Sequence, residues 1–346
     1  MSDIAVGGER RQSILTRLAI LCFAYAAGAA LIDGNLYLLN LAKYLPIFLG
    51  IVPVFCAVNL LLSALVSSSK NPLGFVHNAL RERGAAAVGI GVTCWVGMAA
   101  FWTYKFHIPE LVPFYADRAL ANVDEVIHFG APWRFLHSIT PDAAVPAMVL
   151  IYFPAWVVQF AAVIVFAAFH SNDGNRTRYL VSFATVIAGL GTLLAGTLSS
   201  VGPIYYDRFL GGTRFAGLTD ALHANADASL IIRVSEQLYA AYVTGTGGLV
   251  AGISAMPSIH VAVPALNTLF LLTVNRWAGI AGCIFTAAIM FESVYFGWHY
   301  AVDGYVSVIA VSVIWYVAGL ITKYDKWTDG MACIRDAGVA QASSYE

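Results

Sequence analysis

Long apolar stretches separated by short polar segments dominate this chain. A helix that crosses a bilayer needs roughly 20 predominantly apolar residues. About eight stretches approach or reach that length, at residues 14–33, 44–67, 84–104, 143–169, 178–200, 256–274, 277–296 and 300–322. This pattern predicts an all-α integral membrane protein with about eight transmembrane helices.

Two longer segments interrupt the apolar pattern. Residues 105–142 mix apolar with charged side chains, which is typical of short helices at the membrane interface. Residues 201–255 are polar and rich in glycine, which predicts a long loop. We divide the chain into an N-terminal transmembrane region (1–83), a membrane domain that contains the candidate site described below (84–322) and a cytoplasmic tail (323–346).

The composition supports a membrane location and excludes some partners. Apolar and aromatic residues make up 59% of the 346 residues, and charged residues only 11%, against about 25% in ordinary soluble domains. The formal net charge of -1 gives no field that would attract nucleic acid. Four of the five cysteines lie in apolar runs, so they predict core packing and no disulfide framework.

The distribution of basic residues predicts the orientation, because cytoplasmic loops carry the excess of Lys and Arg. With the N-terminus inside, more of the Lys and Arg residues fall in inner segments than in outer ones. Both termini are then cytoplasmic, and segments 105–142 and 201–255 face outward. The short loops favour a bacterial inner membrane, with the active site on the periplasmic side.

The first candidate for chemistry is the sequence Pro257-Ser258-Ile259-His260, at the start of the predicted span 256–274. The N-terminus of a helix offers free backbone N–H groups and the positive end of its dipole, which suits a phosphate. Ser258 adds a hydroxyl donor. His260 is placed to give or take a proton.

The second candidate is the pair His299 and Asp303, four residues apart on one predicted helix face. A carboxylate there can hold one imidazole nitrogen and leave the other free as a nucleophile or base. Between His260 and His299 the sequence predicts one helix that crosses the membrane, a short turn and a second helix that returns. We therefore expect both histidines at the same depth on the outer face.

These residues resemble a known family. P-S-I-H at 257–260 and G-W-H-Y-A-V-D at 297–303 are similar to two motifs of the type 2 phosphatidic acid phosphatase superfamily. The H-Y-x-x-D form, the G-P-x-x-Y element at 202–206 and the segment from Lys105 to Gly130 resemble its inositol phosphorylceramide synthase branch. The resemblance covers roughly residues 100–320.

The resemblance implies a role for each matched residue. His299 would attack phosphorus and form a phosphohistidine, Asp303 would orient His299, and His260 would protonate the departing oxygen. Ser258 would hold phosphoryl oxygens. The family implies no metal and no cofactor. Its substrates would be a membrane lipid donor and an alcohol or lipid acceptor.

The phosphate-gripping K-x(6)-R-P motif of the superfamily's phosphatases is missing here. Its absence favours the transferase branch and raises the question of which cations replace it. We expect Arg208, Arg214 and Lys105 to be candidates, because bidentate arginine and lysine suit phosphate. Tyr206 and the intramembrane acid Glu292 are further candidates for substrate binding, and Glu292 is equally well explained by a structural hydrogen bond.

Three alternatives remain open from the sequence. The same site fits a phosphatase that acts on a lipid phosphate or a prenyl diphosphate. A metalloenzyme would use His260, His299 and Asp303 as ligands. The alternative outside the enzymes is a transporter or a scaffold. Transporters usually consist of two repeated halves, and no such repeat is visible in this sequence.

Overall fold

A computed structural model gives the backbone of residues 2–66, 71–246 and 252–342, with side chains described for 14–65, 71–246 and 252–322. Every regular element in these ranges is helical, which confirms the all-α membrane fold. In chain order the helices are α1 (Ser2–Ile32), α2 (Gly34–Val66), α3 (Pro72–Leu111), α4 (Asp117–His128), α5 (Pro132–Ile139), α6 (Asp142–Phe169), α7 (Asp173–Thr197), α8 (Pro203–Leu210), α9 (Ala216–Ala224), α10 (Ser229–Thr244), α11 (Ile259–Val274), α12 (Arg276–Tyr295) and α13 (Ala301–Ala342).

Seven of these helices, within the described residues, are long and apolar enough to cross a membrane: α1, α2, α3, α6, α7, α12 and the part of α13 up to Thr322. The predicted span 256–274 is shorter than expected, because its helix begins only at Ile259. Ser258 caps that helix, and its Oγ accepts a hydrogen bond from the Val261 N–H at 3.3 Å. The 16 residues of α11 span about 24 Å.

The prediction of a loop over 201–255 was wrong, because this segment contains the helices α8, α9 and α10. Each helix is short and is bounded by residues that stop helices, such as Gly211 and Gly245. Their apolar faces are buried in one cluster through Leu218, Leu222 and Ile231. These three helices cover the end of the bundle with a packed layer. Residues 247–251 of the predicted loop lie outside the described residues.

The backbone helix of α13 continues beyond the predicted span into the expected cytoplasmic tail, 323–346. The side chains of that tail lie outside the described residues.

Helix α11 is the centre of the catalytic region. It packs antiparallel against α12 and also contacts α6, α7 and α13, and its residues from Val261 to Thr268 are buried. The remaining spans expose large apolar side chains, for example Leu21 and Leu31 on α1. Such a surface is stable in contact with lipid and unstable in water.

Three irregular segments meet at the end of the bundle where both histidines lie. We call residues 198–202, 252–258 and 296–300 the loop layer. The Ala255 N–H donates to the Ser200 carbonyl at 2.9 Å, and the Met256 N–H donates to the Ser200 hydroxyl at 3.0 Å. Gly202 has φ 87°, and a Cβ there would lie 2.5 Å from the Trp298 carbonyl oxygen. Only glycine allows these two segments to approach so closely.

Two buried carboxylates on α4 fix the loop layer to the interfacial helices. Asp117 accepts the N–H groups of Val201 and Gly202 and the hydroxyl of Tyr300, all within 3.1 Å. Asp124 accepts the N–H groups of Ala301 and Val302, each at 2.9 Å. Since those two N–H groups open α13, Asp124 also complements the positive end of that helix.

We predict that Asp117→Ala lowers the free energy of unfolding by about 3 kcal/mol or more, because three buried donors lose a charged acceptor. Asp117→Asn keeps one acceptor oxygen, so its stability is expected to lie between those of the wild type and Asp117→Ala. The measurement is the thermal midpoint of the purified protein in detergent. Asp220→Ala on α9 is the matched control at an exposed acid, and equal midpoints for Asp117→Ala and this control would contradict the anchoring role.

Candidate active site

The two histidines lie together in a small cavity at the loop layer, with ring centroids 6.2 Å apart. His260 comes from the first turn of α11, and His299 immediately precedes α13. We call this cavity the histidine pocket. Its lining consists of Phe101, Lys105, Gly191, Ala195, Ser254, Pro257, Ile259, His260 and His299.

Aromatic rings fix the position of His260. The Tyr152 ring stacks on its imidazole at 5.0 Å with an interplanar angle of 7°, and Trp156 lies 4.7 Å away. Trp156 also donates its indole N–H to the His260 carbonyl at 2.9 Å. Two planar neighbours and a backbone tether leave the His260 ring little freedom to rotate.

Helix irregularities occur on two of the spans that flank this pocket. Residues Ile151–Ala155 of α6 and Val186–Leu194 of α7 are π-helical. The first contains Tyr152, and the second contains Gly191, which lines the pocket. Such π-helical turns within α-helices are frequent at functional sites, and here they set the rotation of the residues that face the histidines.

A carbonyl group of the loop layer orients His299. Its Nδ1 lies 2.8 Å from the carbonyl oxygen of Ala255. Because a carbonyl only accepts, Nδ1 must carry the proton in this hydrogen bond, and Nε2 is then the unprotonated nitrogen. That tautomer is the one a nucleophilic histidine requires.

The surroundings of His299 also favour its neutral form. Burial is the main cause that lowers the pKa of His299 to about 3, and the positive charge of Lys105 acts in the same direction. The hydrogen bond to the Ala255 carbonyl opposes both effects. Nε2 therefore keeps its lone pair throughout the physiological pH range.

Asp303 occupies a different position from the one expected of a direct orienting group. Its Oδ2 lies 3.5 Å from Nδ1 of His299, farther than the Ala255 carbonyl, and accepts the Tyr300 N–H at 3.0 Å. The carboxylate is buried beside the imidazole. It can therefore stabilise positive charge on the ring, while the Ala255 carbonyl holds the tautomer.

Lys105 lies in the histidine pocket, near the end of α3. The loop layer packs directly against it, since a Cβ on Gly252 would lie 2.6 Å from the Lys105 carbonyl oxygen. Its ammonium is 5.5 Å from the Trp102 ring. Among the three basic residues considered from the sequence, Lys105 alone lines the pocket.

Ser258 is fully buried at the N-cap of α11, next to Pro257 and Ile259 of the pocket wall. Its hydroxyl oxygen accepts from the Val261 N–H, so its own proton remains available to a further acceptor. The start of α11 also directs its dipole toward this end of the bundle.

The two loop arginines are paired elsewhere. Arg208 makes two hydrogen bonds with Glu236 and lies over the Tyr239 ring. Arg214 pairs with Glu125 at 2.9 Å. Neither guanidinium lines the histidine pocket, although Glu125, the partner of Arg214, lines a second cavity that His299 also borders.

Tyr206 and Glu292 also lie outside the pocket lining. Tyr206 is buried against Phe215 and beneath Arg214. Glu292 is only 2% exposed within α12, and its Oε2 has no hydrogen-bond partner among the described residues. A substrate-binding role for either residue remains a prediction without support from the geometry.

The sequence reasoning missed several residues that shape the site: Tyr152, Trp156, Ala255, Asp117 and Asp124. The spacing of Asp117, Ala121 and Asp124, which puts all three on one helix face, was a usable signal for the last two. Ala255 contributes only its backbone, so no side-chain pattern identifies it.

Comparison with known proteins gives one result. A family model of the PAP2 superfamily matches residues 118–317, which is more than half of the chain. The chain belongs to the PAP2 superfamily. Membership supports phosphatase or phosphotransferase chemistry in general and a phosphatase-type enzyme. No curated protein and no solved structure gives a match.

The matched region of this PAP2 protein contains both histidines and Asp303, whereas Lys105 precedes it. Within the described residues, no group of three or more His, Cys, Asp or Glu side chains is arranged to hold a metal ion. The metalloenzyme alternative therefore lacks a ready ligand set in that part of the chain.

We predict that Lys105→Met weakens inhibition by orthovanadate about tenfold or more, because a charged hydrogen bond contributes about 1.5–3 kcal/mol. Orthovanadate serves as a soluble mimic of the phosphoryl group, and the measurement is its inhibition constant. Arg208→Met is the matched control, since it removes a cation of similar size that pairs with Glu236. A larger loss in the control than in Lys105→Met would place the phosphate grip at the loop arginines.

Proposed function

We propose that this protein is a membrane enzyme that transfers a phosphate-containing head group between lipids, with His299 as the nucleophile. One observation carries the proposal. Nδ1 of His299 is held by the Ala255 carbonyl, so Nε2 is unprotonated in a pocket shared with His260 and Lys105. The resemblance to inositol phosphorylceramide synthases supports a transferase of that type.

In the first step, Nε2 of His299 attacks the phosphorus of the donor. An N–P bond forms and the bond from phosphorus to the leaving alcohol oxygen breaks. The negative charge of the bound phosphate favours the protonated form of His260, and His260 then transfers its proton to that oxygen. The positive charge that develops on the His299 ring is stabilised by Asp303, whose Oδ2 is 3.5 Å from Nδ1.

In the second step, the hydroxyl of the acceptor attacks the same phosphorus. Its proton passes to the now neutral His260, an O–P bond forms and the N–P bond breaks. Both histidines return to their starting states, so the cycle needs no further reactant. Lys105 and the Ser258 hydroxyl are suited to hold the phosphoryl oxygens during both steps.

The position of the pocket supports lipid substrates. The pocket lies where α3, α7 and α11 meet the loop layer, at one end of the membrane spans. A donor can therefore present its phosphate to the histidines while its apolar chains remain in the bilayer. The basic-residue distribution supports a periplasmic location of this end in a bacterial inner membrane.

The experiment incubates purified protein with radiolabelled phospholipids and prenyl phosphates, in EDTA, with and without alcohol acceptors. Products are separated by thin-layer chromatography. We expect a new labelled lipid that needs both enzyme and acceptor. Free phosphate or free phosphorylated head group, released equally well without acceptor, would indicate hydrolysis at the same site.

Two variants make this experiment specific. His299→Ala is expected to lower turnover by at least a thousandfold, because it removes the nucleophile. His223→Ala is the matched control, since His223 is exposed and bonds only the Thr219 carbonyl. No product from any donor with wild type would overturn the enzymatic proposal and favour a transporter or scaffold.

A further inference from the structure

Helix α4 has its polar and apolar faces inverted relative to a helix on a water-exposed surface. Its protein-facing side carries the buried residues Asp117, Ala121 and Asp124. Its outward side exposes Val126 by 75% and Ile127 by 49%. A helix at a water interface buries its apolar stripe and exposes its acids. The outward face carries the exposed polar residues Arg118 and Asn122 in the first half of α4 and Val126 and Ile127 in the second half. The second half therefore suits an apolar surrounding.

The same apolar surface continues through the turn that follows α4 into α5. Phe129, at that turn, is 99% exposed and has φ 56°. A left-handed backbone is uncommon for an aromatic residue. Phe135 and Ile139 on α5 add further exposed apolar area. We call residues 117–139 the α4–α5 hairpin.

The hairpin lies beside a membrane-facing surface of the bundle. His128, next to Phe129, contacts the Tyr305 hydroxyl through Nε2 at 2.8 Å. Tyr305 is in the first turns of α13 and is 40% exposed, and Ile309 on the same span is 65% exposed. The apolar face of the hairpin thus continues the lipid-facing surface of a membrane span.

The exposed basic residues of the hairpin also suit a membrane surface. Arg118 and Arg134 are both exposed, and the Arg134 guanidinium lies 5.4 Å from the Trp133 ring. Exposed arginines favour the head-group region, where the phosphates are negatively charged, whereas Trp133 itself is buried in the core. The hairpin therefore presents apolar side chains toward acyl chains and cations toward head groups.

We propose that the α4–α5 hairpin inserts Phe129 and the outward face of the second half of α4 into the lipid leaflet on the histidine side of the membrane. The partner is the acyl-chain region of the bilayer. Insertion also bears on the catalytic site, because Asp124 on the inner face holds the N–H groups of Ala301 and Val302, two and three residues after His299. The lipid surface and the His299 loop are thereby linked through one short helix.

The direct test replaces Phe129 with the photoreactive residue p-benzoylphenylalanine in the full chain. The protein is reconstituted into vesicles of phosphatidylcholine and phosphatidylglycerol, irradiated and analysed by intact-protein mass spectrometry. We expect an adduct with the mass of one phospholipid. The same residue at position 227, in place of the exposed Asp227, is the control and is expected to give none.

Two results would overturn this proposal. Adducts between two protein chains, without lipid adducts, would show that a second copy covers the hairpin. Absence of both adducts at position 129 would show that the hairpin faces water. Neither result depends on enzymatic activity, so this proposal and the proposed function can fail separately.

A second pair of variants tests the functional link, which does rest on the proposed function. Phe129→Asn removes the apolar side chain but tolerates the left-handed backbone, whereas Phe129→Leu keeps the apolar character. We expect Phe129→Asn to lower turnover of a lipid donor in vesicles at least fivefold, with p-nitrophenol release from soluble p-nitrophenyl phosphate, measured with the same acceptor present, unchanged. Equal effects on both substrates, or equal effects of both variants, would contradict the link.

Discussion

Non-helical backbone at the end of a membrane bundle must find hydrogen-bond partners where water is scarce, and this requirement shapes the whole histidine end of the protein. Asp117 and Asp124 supply those partners from α4, and Ser200 supplies them within the loop layer. The carboxylates are tolerated in the interior because each accepts at least two donors. The position of His299 follows from this arrangement, since Tyr300 and Ala301 are fixed by the same two acids.

The chemistry depends on how little freedom the two histidines retain. His260 is held between Tyr152 and Trp156, and His299 is tied to the Ala255 carbonyl. Fixed geometry of this kind places reacting groups in advance and spares the entropy of orienting them during reaction. The π-helical turns of α6 and α7 are part of the same arrangement, because they aim Tyr152 and Gly191 at the pocket.

Much of the fold could be predicted from hydrophobic pattern and spacing. The separation of 39 positions between His260 and His299 matches one helix across the membrane and one helix back, and the structure brings both rings into one pocket. The helices between 201 and 245 escaped prediction because they are short and interrupted by glycine, so their periodicity is weak. Their apolar residues are explained only by the cluster they join.

The detailed site was less accessible to sequence reasoning. The partner of His299 Nδ1 is a backbone carbonyl 44 positions away, which leaves no trace in side-chain identity. The neutralisation of Arg208 by Glu236, 28 positions later, depends on how α8 and α10 pack. Lys105 stands alone on a long helix, so the sequence does not separate it from the two arginines. The packing of Gly252 against α3 brings it to the pocket.

The most direct measurement is the site of covalent labelling during one turnover. Enzyme is mixed with a donor labelled in its head-group phosphate, quenched with base within milliseconds to seconds, digested and analysed by mass spectrometry. The account predicts an acid-labile, base-stable label on the peptide that contains His299. Product formation with no label on His299 at any quench time, or a label on His260 instead, would contradict the central role of His299.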